Sequence, residues 1–164
     1  MKRLAKSARV MRHLALAGLF LLSAGGASAA VTVSYIEPEH FGEMPLATWE
    51  RDEILRDLTA HFDRLGKTLP AGQDLKVEVL DMRLAGRLRR GGPREIRVIK
   101  NGADWPTMHI RYAVESGGKV ITSGESKLSD MAYTSRTTRY SDGEPLRYEK
   151  RMIDEWFKKT IAAK

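Results

Sequence analysis

The fold is decided by residues 107–126, which read TMHIRYAVESGGKVITSGES. Apolar residues occupy every second position from Met108 to Val114, the period of a strand with one buried face. A Ser-Gly-Gly turn separates this run from a second run of β-branched and polar residues. The pattern predicts an antiparallel hairpin in which Met108–Glu115 pairs with Lys119–Ser126.

Outward from this hairpin, four further segments have a recognisable pattern. Residues 31–36 alternate and predict a first strand, and apolar residues at helical spacing predict a helix from about Ala47 to Lys67. Residues 95–100 are predicted to form a short strand after an Arg/Gly-rich loop at residues 86–93. Pro145 is predicted to open a final helix with an apolar inner face.

The segment from Leu75 to Leu84 changes parity along its length. Apolar residues fall on odd positions up to Val79 and on even positions from Leu80 onward. This change predicts either a β-bulge near Leu80 or a strand that is buried on both faces.

The resulting element order is β-α-β-β-β-β-α. It predicts an α+β fold, a two-layer sandwich in which two helices cover one face of a four- to five-stranded, mostly antiparallel sheet. No linker or repeat interrupts the pattern, so we expect a single α+β domain over residues 30–164.

The first 29 residues have the three parts of a signal peptide. Five basic residues precede an apolar run of nine residues, Leu14–Leu22, and the small residues Ala27-Ser-Ala29 follow. Nine residues rise about 13 Å as a helix, short of a hydrocarbon core of about 30 Å. No cysteine follows the run, so there is no lipobox. We expect Sec export, cleavage after residue 29 or 30, and a soluble periplasmic protein that is no lipoprotein and has no transmembrane span.

Most of the positive charge belongs to this leader. The whole chain has 28 basic and 21 acidic residues, but residues 31–164 have 23 basic and 21 acidic ones. A nearly neutral chain of this kind argues against nucleic acid as a partner. The absence of cysteine from the sequence excludes a disulfide scaffold and a cysteine nucleophile.

Six short motifs occur in order along residues 37–157 and carry a family resemblance: Glu37-Pro-Glu39, Leu69-Pro-Ala-Gly72 with Leu84-Ala-Gly86, Trp105-Pro106, Leu128-Ser-Asp-Met131, Leu146-Arg-Tyr-Glu-Lys150 and Trp156-Phe157. Together the motifs resemble the secreted proteobacterial family known as domain of unknown function 3016. The resemblance implies a periplasmic α+β domain without an established activity. Such proteins often read Asp-x-Asp-Leu-Ala-Gly, whereas Arg83 replaces the second acid here, which argues against a cation held by paired carboxylates.

Catalytic motifs are incomplete. Ser116-Gly-Gly-Lys119 spells S-x-x-K, but it lies in a predicted turn instead of on a helix, and Gly124-Glu-Ser126-Lys-Leu128 lacks the last glycine of G-x-S-x-G. Residues 31–164 have three histidines and no H-E-x-x-H motif. We predict no cofactor, no metal and no catalytic residue.

The charge pattern is uneven along the chain. Residues 37–57 have seven acids and two bases, and residues 83–100 have seven bases and one acid. Arginines bind anions through two hydrogen bonds at once and pack beside aromatic rings. The predicted partner surface therefore consists of Arg87, Arg89, Arg90, Arg94, Arg97, Trp105, Arg136, Arg139 and Tyr140.

Three functions remain open from the sequence. The first is a non-enzymatic binding or accessory module that contacts an anionic envelope component or an envelope protein through this Arg-rich surface. The second is an enzyme with an atypical polar site near Glu39, His40 and Asp81. The third is a structural or stress-tolerance protein without a ligand. A pocket lined by converging polar groups would favour the enzyme, and a flat face with exposed arginines and aromatics would favour binding.

Overall fold

The computed structural model describes residues 29–91, 95–100 and 102–163. The signal-peptide prediction, except for its last residue, and Arg94 of the predicted surface lie outside these residues. The elements are β1 (Val31–Tyr35), a 3₁₀ turn (Pro38–His40), α1 (Thr48–Gly66), β2 (Gln73–Arg83), β3 (Arg87–Arg89), β4 (Ile96–Val98), β5 (Thr107–Ser116), β6 (Lys119–Ser129) and α2 (Arg147–Thr160).

Four strands form the main sheet, in the order β1-β2-β5-β6. β1 runs parallel to β2, whereas β2 with β5 and β5 with β6 are antiparallel. The predicted hairpin is confirmed, since Ile110 lies opposite Ser126 and Ser116 lies opposite Lys119. The crossover from β1 to β2 runs through α1, as a parallel pair of strands requires.

The parity change in β2 comes from a β-bulge. The register with β5 shifts between Val79 and Asp81, so Leu80 is the extra residue. Val77 and Val79 before the bulge, and Met82 and the following Leu84 after it, are all fully buried. The bulge lets odd and even positions reach one core face, which decides between the two alternatives that the sequence left open.

Both helices cover this same face of the sheet. Leu58 and Phe62 of α1 pack with Ile153 and Trp156 of α2 in one core cluster with the inner residues of β2 and β5. The opposite face is charged and exposed, with Arg111 of β5 paired to acids on both neighbouring strands. The predicted two-layer α+β sandwich is therefore confirmed.

Two boundaries differ from the sequence prediction. Residues 87–89, expected in a loop, form β3 because they pair with β4 as a separate two-stranded sheet. α2 begins at Arg147, and Leu146 before it has a left-handed backbone with φ of 54°. Within the described residues, neither helix combines the length and the hydropathy that crossing a membrane requires.

Candidate functional site

The β3–β4 hairpin separates its arginines onto two faces. In its register Arg87 lies opposite Val98, Leu88 opposite Arg97, and Arg89 opposite Ile96. Directly opposed residues of an antiparallel pair share a face. Arg87, Arg89, Ile96 and Val98 therefore form one face, which we call the hairpin outer face, and Leu88 and Arg97 form the inner one.

Two arginines of the hairpin outer face carry free charge. Arg87 and Arg89 are exposed, and neither has an ion-pair partner among the described residues. The next residue differs, because Arg90 Nε donates to Glu95 Oε1 at 3.0 Å. Glu95 Oε2 also accepts the backbone N–H of Leu46 at 3.1 Å. The outer face thus presents two unneutralised guanidinium groups.

Arg97, on the inner face, has a different environment. Its guanidinium donates to the backbone carbonyls of Ala85 and Glu43, both at 2.9 Å. Burial lowers the pKa of Arg97 from its usual range, although the negative charges of Glu149 and Glu43 oppose the shift. Arg97 therefore ties the hairpin to the domain and is not presented to a partner.

The base of the hairpin is fixed by further buried polar contacts. The backbone N–H of Ala85 donates to Glu149 Oε1 at 2.6 Å, and that of Leu88 donates to Glu43 Oε2 at 2.7 Å. Burial raises the pKa of Glu149 above its usual range. Gly86 has φ of +80°, and a Cβ there would lie 2.7 Å from the carbonyl oxygen of Val98. Only glycine fits this approach, so the Leu-Ala-Gly motif sets where the hairpin leaves the sheet.

The second predicted basic stretch is neutralised within the chain. Arg136 contacts Glu155 at 2.5 Å, and Arg139 contacts Asp154 at 2.9 Å. The hydroxyl of Tyr140 donates to Asp154 at 2.7 Å. Burial, followed by this hydrogen bond, raises the pKa of Tyr140 to about 12. All three predicted partner residues of this stretch are occupied by acids of α2.

His61 belongs to the same network. It is buried, and its Nδ1 faces a guanidinium nitrogen of Arg64 at 2.9 Å. Because arginine can only donate, Nδ1 accepts and Nε2 carries the hydrogen that Asp154 receives at 2.9 Å. Burial raises the pKa of Asp154, but hydrogen bonds from His61 and Tyr140 outweigh it, so the pKa is lowered. Both ring nitrogens of this histidine are used within the chain.

Arg151 is a buried residue that the sequence analysis missed. Its guanidinium contacts Asp130 at 2.5 Å and donates to the carbonyls of Tyr133 and Arg136 at 2.7 and 2.9 Å. A helix residue thus holds the backbone of the segment that leads to Arg139. This contact keeps the second basic stretch against α2.

A cleft of about 630 Å³ lies between α1, the hairpin and the start of α2. Its most buried cation is Lys150, 1% exposed, which contacts Asp57 at 2.9 Å and Glu144 at 2.7 Å. The described residues that line the cleft include no serine, threonine, cysteine or histidine. Lys150, Arg97 and Glu149 contact other groups of the chain. The other charged residues of the described lining are mostly carboxylates: Glu50, Glu53, Asp57, Glu95, Asp142 and Glu144.

The alternative polar site near Glu39, His40 and Asp81 is not assembled. His40 Nδ1 lies 3.4 Å from the Glu37 carboxylate, and both side chains are exposed. Asp81 is also exposed, and among the described residues no interaction joins it to Glu39 or His40. The described part of the chain has no group of three or more His, Cys, Asp or Glu residues placed to hold a metal ion.

Trp105 lies just before β5, half-buried, with the buried Pro106 after it. The guanidinium of Arg83 lies 5.8 Å from the centre of its ring. Arg83 is the residue that stands in place of the second acid of the family motif, in Asp81-Met-Arg83. Half-buried Trp105 therefore packs against Arg83, the last residue of β2.

Comparisons with known proteins place the chain in a family. No curated protein matches it. Among solved structures, the lipoprotein GNA1162 from Neisseria meningitidis is similar at 10% identity with a TM-score of 0.25, covering 83% of this chain and 99% of that one. A likeness this weak supports no argument about fold or function. The sequence pattern of DUF3016, described as a protein of unknown function, matches residues 29–159. The chain therefore belongs to the DUF3016 family, as the resemblance of its motifs indicated.

Proposed function

We propose that this protein is a non-enzymatic binding module of the cell envelope that contacts an anionic partner through the hairpin outer face. The observation that supports it is the pair of exposed arginines, Arg87 and Arg89, that find no acid within the described residues. Arginine binds phosphate and carboxylate through a rigid fork of donors. Half-buried Arg97 and buried Glu149 hold the base of this hairpin, which leaves Arg87 and Arg89 on its outer face.

The proposed location follows from the leader. A signal peptide over residues 1–29 would deliver residues 30–164 to the periplasm as a single domain, where the abundant anions are lipid headgroups, lipopolysaccharide and acidic proteins. Neither Arg136 nor Arg139 belongs to the proposed surface, since both contact acids of the same chain. The proposed surface is therefore smaller than the sequence suggested.

The test is affinity capture from a detergent-solubilised envelope extract. The full chain is expressed, and the protein recovered from the periplasmic fraction is immobilised beside the triple variant R87E/R89E/R90E. The matched control is K119E/K158E/K159E, which makes the same charge change at three exposed lysines away from the hairpin. Bound lipids and proteins are identified by mass spectrometry.

We expect an anionic component to be retained by the wild type and the lysine control but lost from the arginine variant. Retention should also fall as salt rises from about 0.05 to about 0.5 M, because exposed charges are screened over a Debye length. Equal retention by all three proteins, or retention that resists salt, would contradict the proposal.

A further inference from the structure

Three large apolar side chains are exposed near the hairpin outer face. Leu46 is 71% exposed, Trp49 62% and Ile96 62%. Glu95 relates two of them in position, because its side chain accepts the backbone N–H of Leu46 and Ile96 is the next residue. Trp49 lies in the first turn of α1, three residues after Leu46. We call these three side chains the apolar end. Exposed apolar groups of this size at one end of a domain are typical of an interaction surface.

Positive charge borders the apolar end. Ile96 lies directly opposite Arg89, and Arg87 is two residues away on the same face. Of the acids of α1 nearest to Trp49, Glu50 and Glu53 line the cleft, whereas Asp52 is exposed three residues after Trp49. On the hairpin, Ile96 therefore adjoins guanidinium groups that no acid of the described chain neutralises.

We propose that this end of the molecule docks on a bilayer surface that contains anionic phospholipid. Arg87 and Arg89 contact the phosphates, while Leu46, Trp49 and Ile96 enter the interfacial region. This inference rests on the proposed function and names its anionic partner. Charge complementarity selects an anionic surface. The apolar groups favour a bilayer, because tryptophan and aliphatic side chains partition into the region below the headgroups.

The other end of the sheet supplies a matched control. Val120 and Ile121 follow the β5–β6 turn and are 58% and 53% exposed. They lie at the far end because β2 pairs with that turn at Gln73 and approaches the hairpin only at its last residue, Arg83. Exposed apolar groups are thus present at both ends, but only one end combines them with Arg87 and Arg89.

The experiment measures co-sedimentation of the protein, recovered after expression of the full chain, with vesicles. One set of vesicles contains phosphatidylglycerol and phosphatidylcholine, and the other only phosphatidylcholine. The test variant is L46S/I96S, and the control is V120S/I121S. We expect the test variant to lose at least about tenfold in binding to the anionic vesicles. Serine replaces two aliphatic side chains that the bilayer contact would bury. The control should bind like the wild type, and phosphatidylcholine alone should bind none of the proteins.

A second measurement needs no variant that could fail to fold. Brominated phosphatidylglycerol should quench the fluorescence of the wild type, because exposed Trp49 enters the interface. The other two tryptophans are more protected, since Trp156 is buried in the core and Trp105 is half-buried against Arg83. The W49F variant identifies the signal, since most of the quenching should disappear with it. Absence of quenching in the wild type would overturn the inference.

The remaining outcomes separate this inference from the proposed function. If L46S/I96S binds like the wild type while R87E/R89E/R90E does not, the contact is electrostatic only. The inference that apolar side chains enter the bilayer is then wrong, whereas the proposed function stands. If the wild type ignores anionic vesicles but captures an acidic protein, the inference is likewise overturned. Equal binding to both vesicle types would contradict both proposals.

Discussion

The two basic segments of this protein look alike in sequence and differ in their surroundings. Arg87 and Arg89 in the hairpin have no acidic partner within the described residues, whereas Arg136 and Arg139 contact Glu155 and Asp154 of α2. Both segments have exposed arginines and apolar or aromatic neighbours. The difference lies in the element against which each segment packs.

A cluster of arginines therefore indicates a binding surface only when acids of the same chain do not neutralise it. α2 supplies carboxylates to the segment beside it, and its own buried arginine, Arg151, fixes that segment by two backbone carbonyls. In the hairpin, by contrast, the contacts to the rest of the domain are made at its base and do not involve its outer arginines. Half-buried Arg97 and the carboxyl group of Glu149 hold its base, and the outer arginines have no acidic partner in the part of the chain that the structure describes.

The largest effect is expected from breaking the attachment of the second segment. Arg151→Met leaves Asp130 and two backbone carbonyls without their buried donor, which should cost about 3–5 kcal/mol in the free energy of unfolding. Urea denaturation measures the loss, and limited proteolysis should show faster cleavage between residues 131 and 140. A loss below about 1 kcal/mol would show that the segment does not depend on α2.

A smaller loss is expected at the base of the hairpin. Arg97→Met removes the donor from the carbonyls of Ala85 and Glu43 and should cost about 2–4 kcal/mol, because each buried acceptor left unpaired is unfavourable. The comparison residue is Arg89, whose change to methionine should shift stability by no more than about 0.5 kcal/mol. Both values come from urea denaturation. Equal effects of the two changes would refute the division of the hairpin into an inner and an outer face.

The pH dependence of stability should report on Glu149. Because burial raises its pKa above the ordinary value of 4.5, the folded protein binds this proton more tightly than the unfolded chain does. Its contribution to stability is therefore fully present below pH 4.5 and is lost as the pH rises through the folded pKa. Glu149→Gln does not titrate, yet its amide oxygen can still accept the Ala85 N–H. The variant should gain stability relative to the wild type as the pH rises above the ordinary pKa of 4.5. A difference that does not change with pH would contradict the raised pKa of Glu149.

Much of the fold was predictable because it depends on periodicity. Alternation from Met108 to Val114 with a Gly-Gly turn determined the hairpin, and the parity change at Leu80 located the bulge without its partner strand. β3 was missed because its three residues have no apolar period. They become a strand only through pairing with β4.

The candidate site was predictable only in part. Arg87 and Arg89 are exposed as expected for charged residues, but Glu149, Lys150 and Arg151 are three consecutive charged residues that are all buried. Charged residues are rarely fully buried. The burial of these three is explained only by the groups that contact them, which belong to Ala85, Asp57 and Asp130. The sequence did single out two of these residues, because Glu149 and Lys150 belong to the Leu146–Lys150 motif of the family resemblance. Ion pairs between segments distant in sequence, such as Arg139 with Asp154, could not be inferred without the tertiary structure.

Of the two basic segments, only the hairpin has arginines without an acidic partner among the described residues, and the proposed binding depends on this difference. The most direct test compares R87E/R89E with R136E/R139E, two variants with the same change in net charge, for binding to phosphatidylglycerol vesicles and for thermal melting. We predict that R87E/R89E melts like the wild type and loses binding at least about tenfold. R136E/R139E should keep its binding and melt at a lower temperature than the wild type, because its ion pairs become repulsive. Loss of binding to the same extent in both variants would contradict the account.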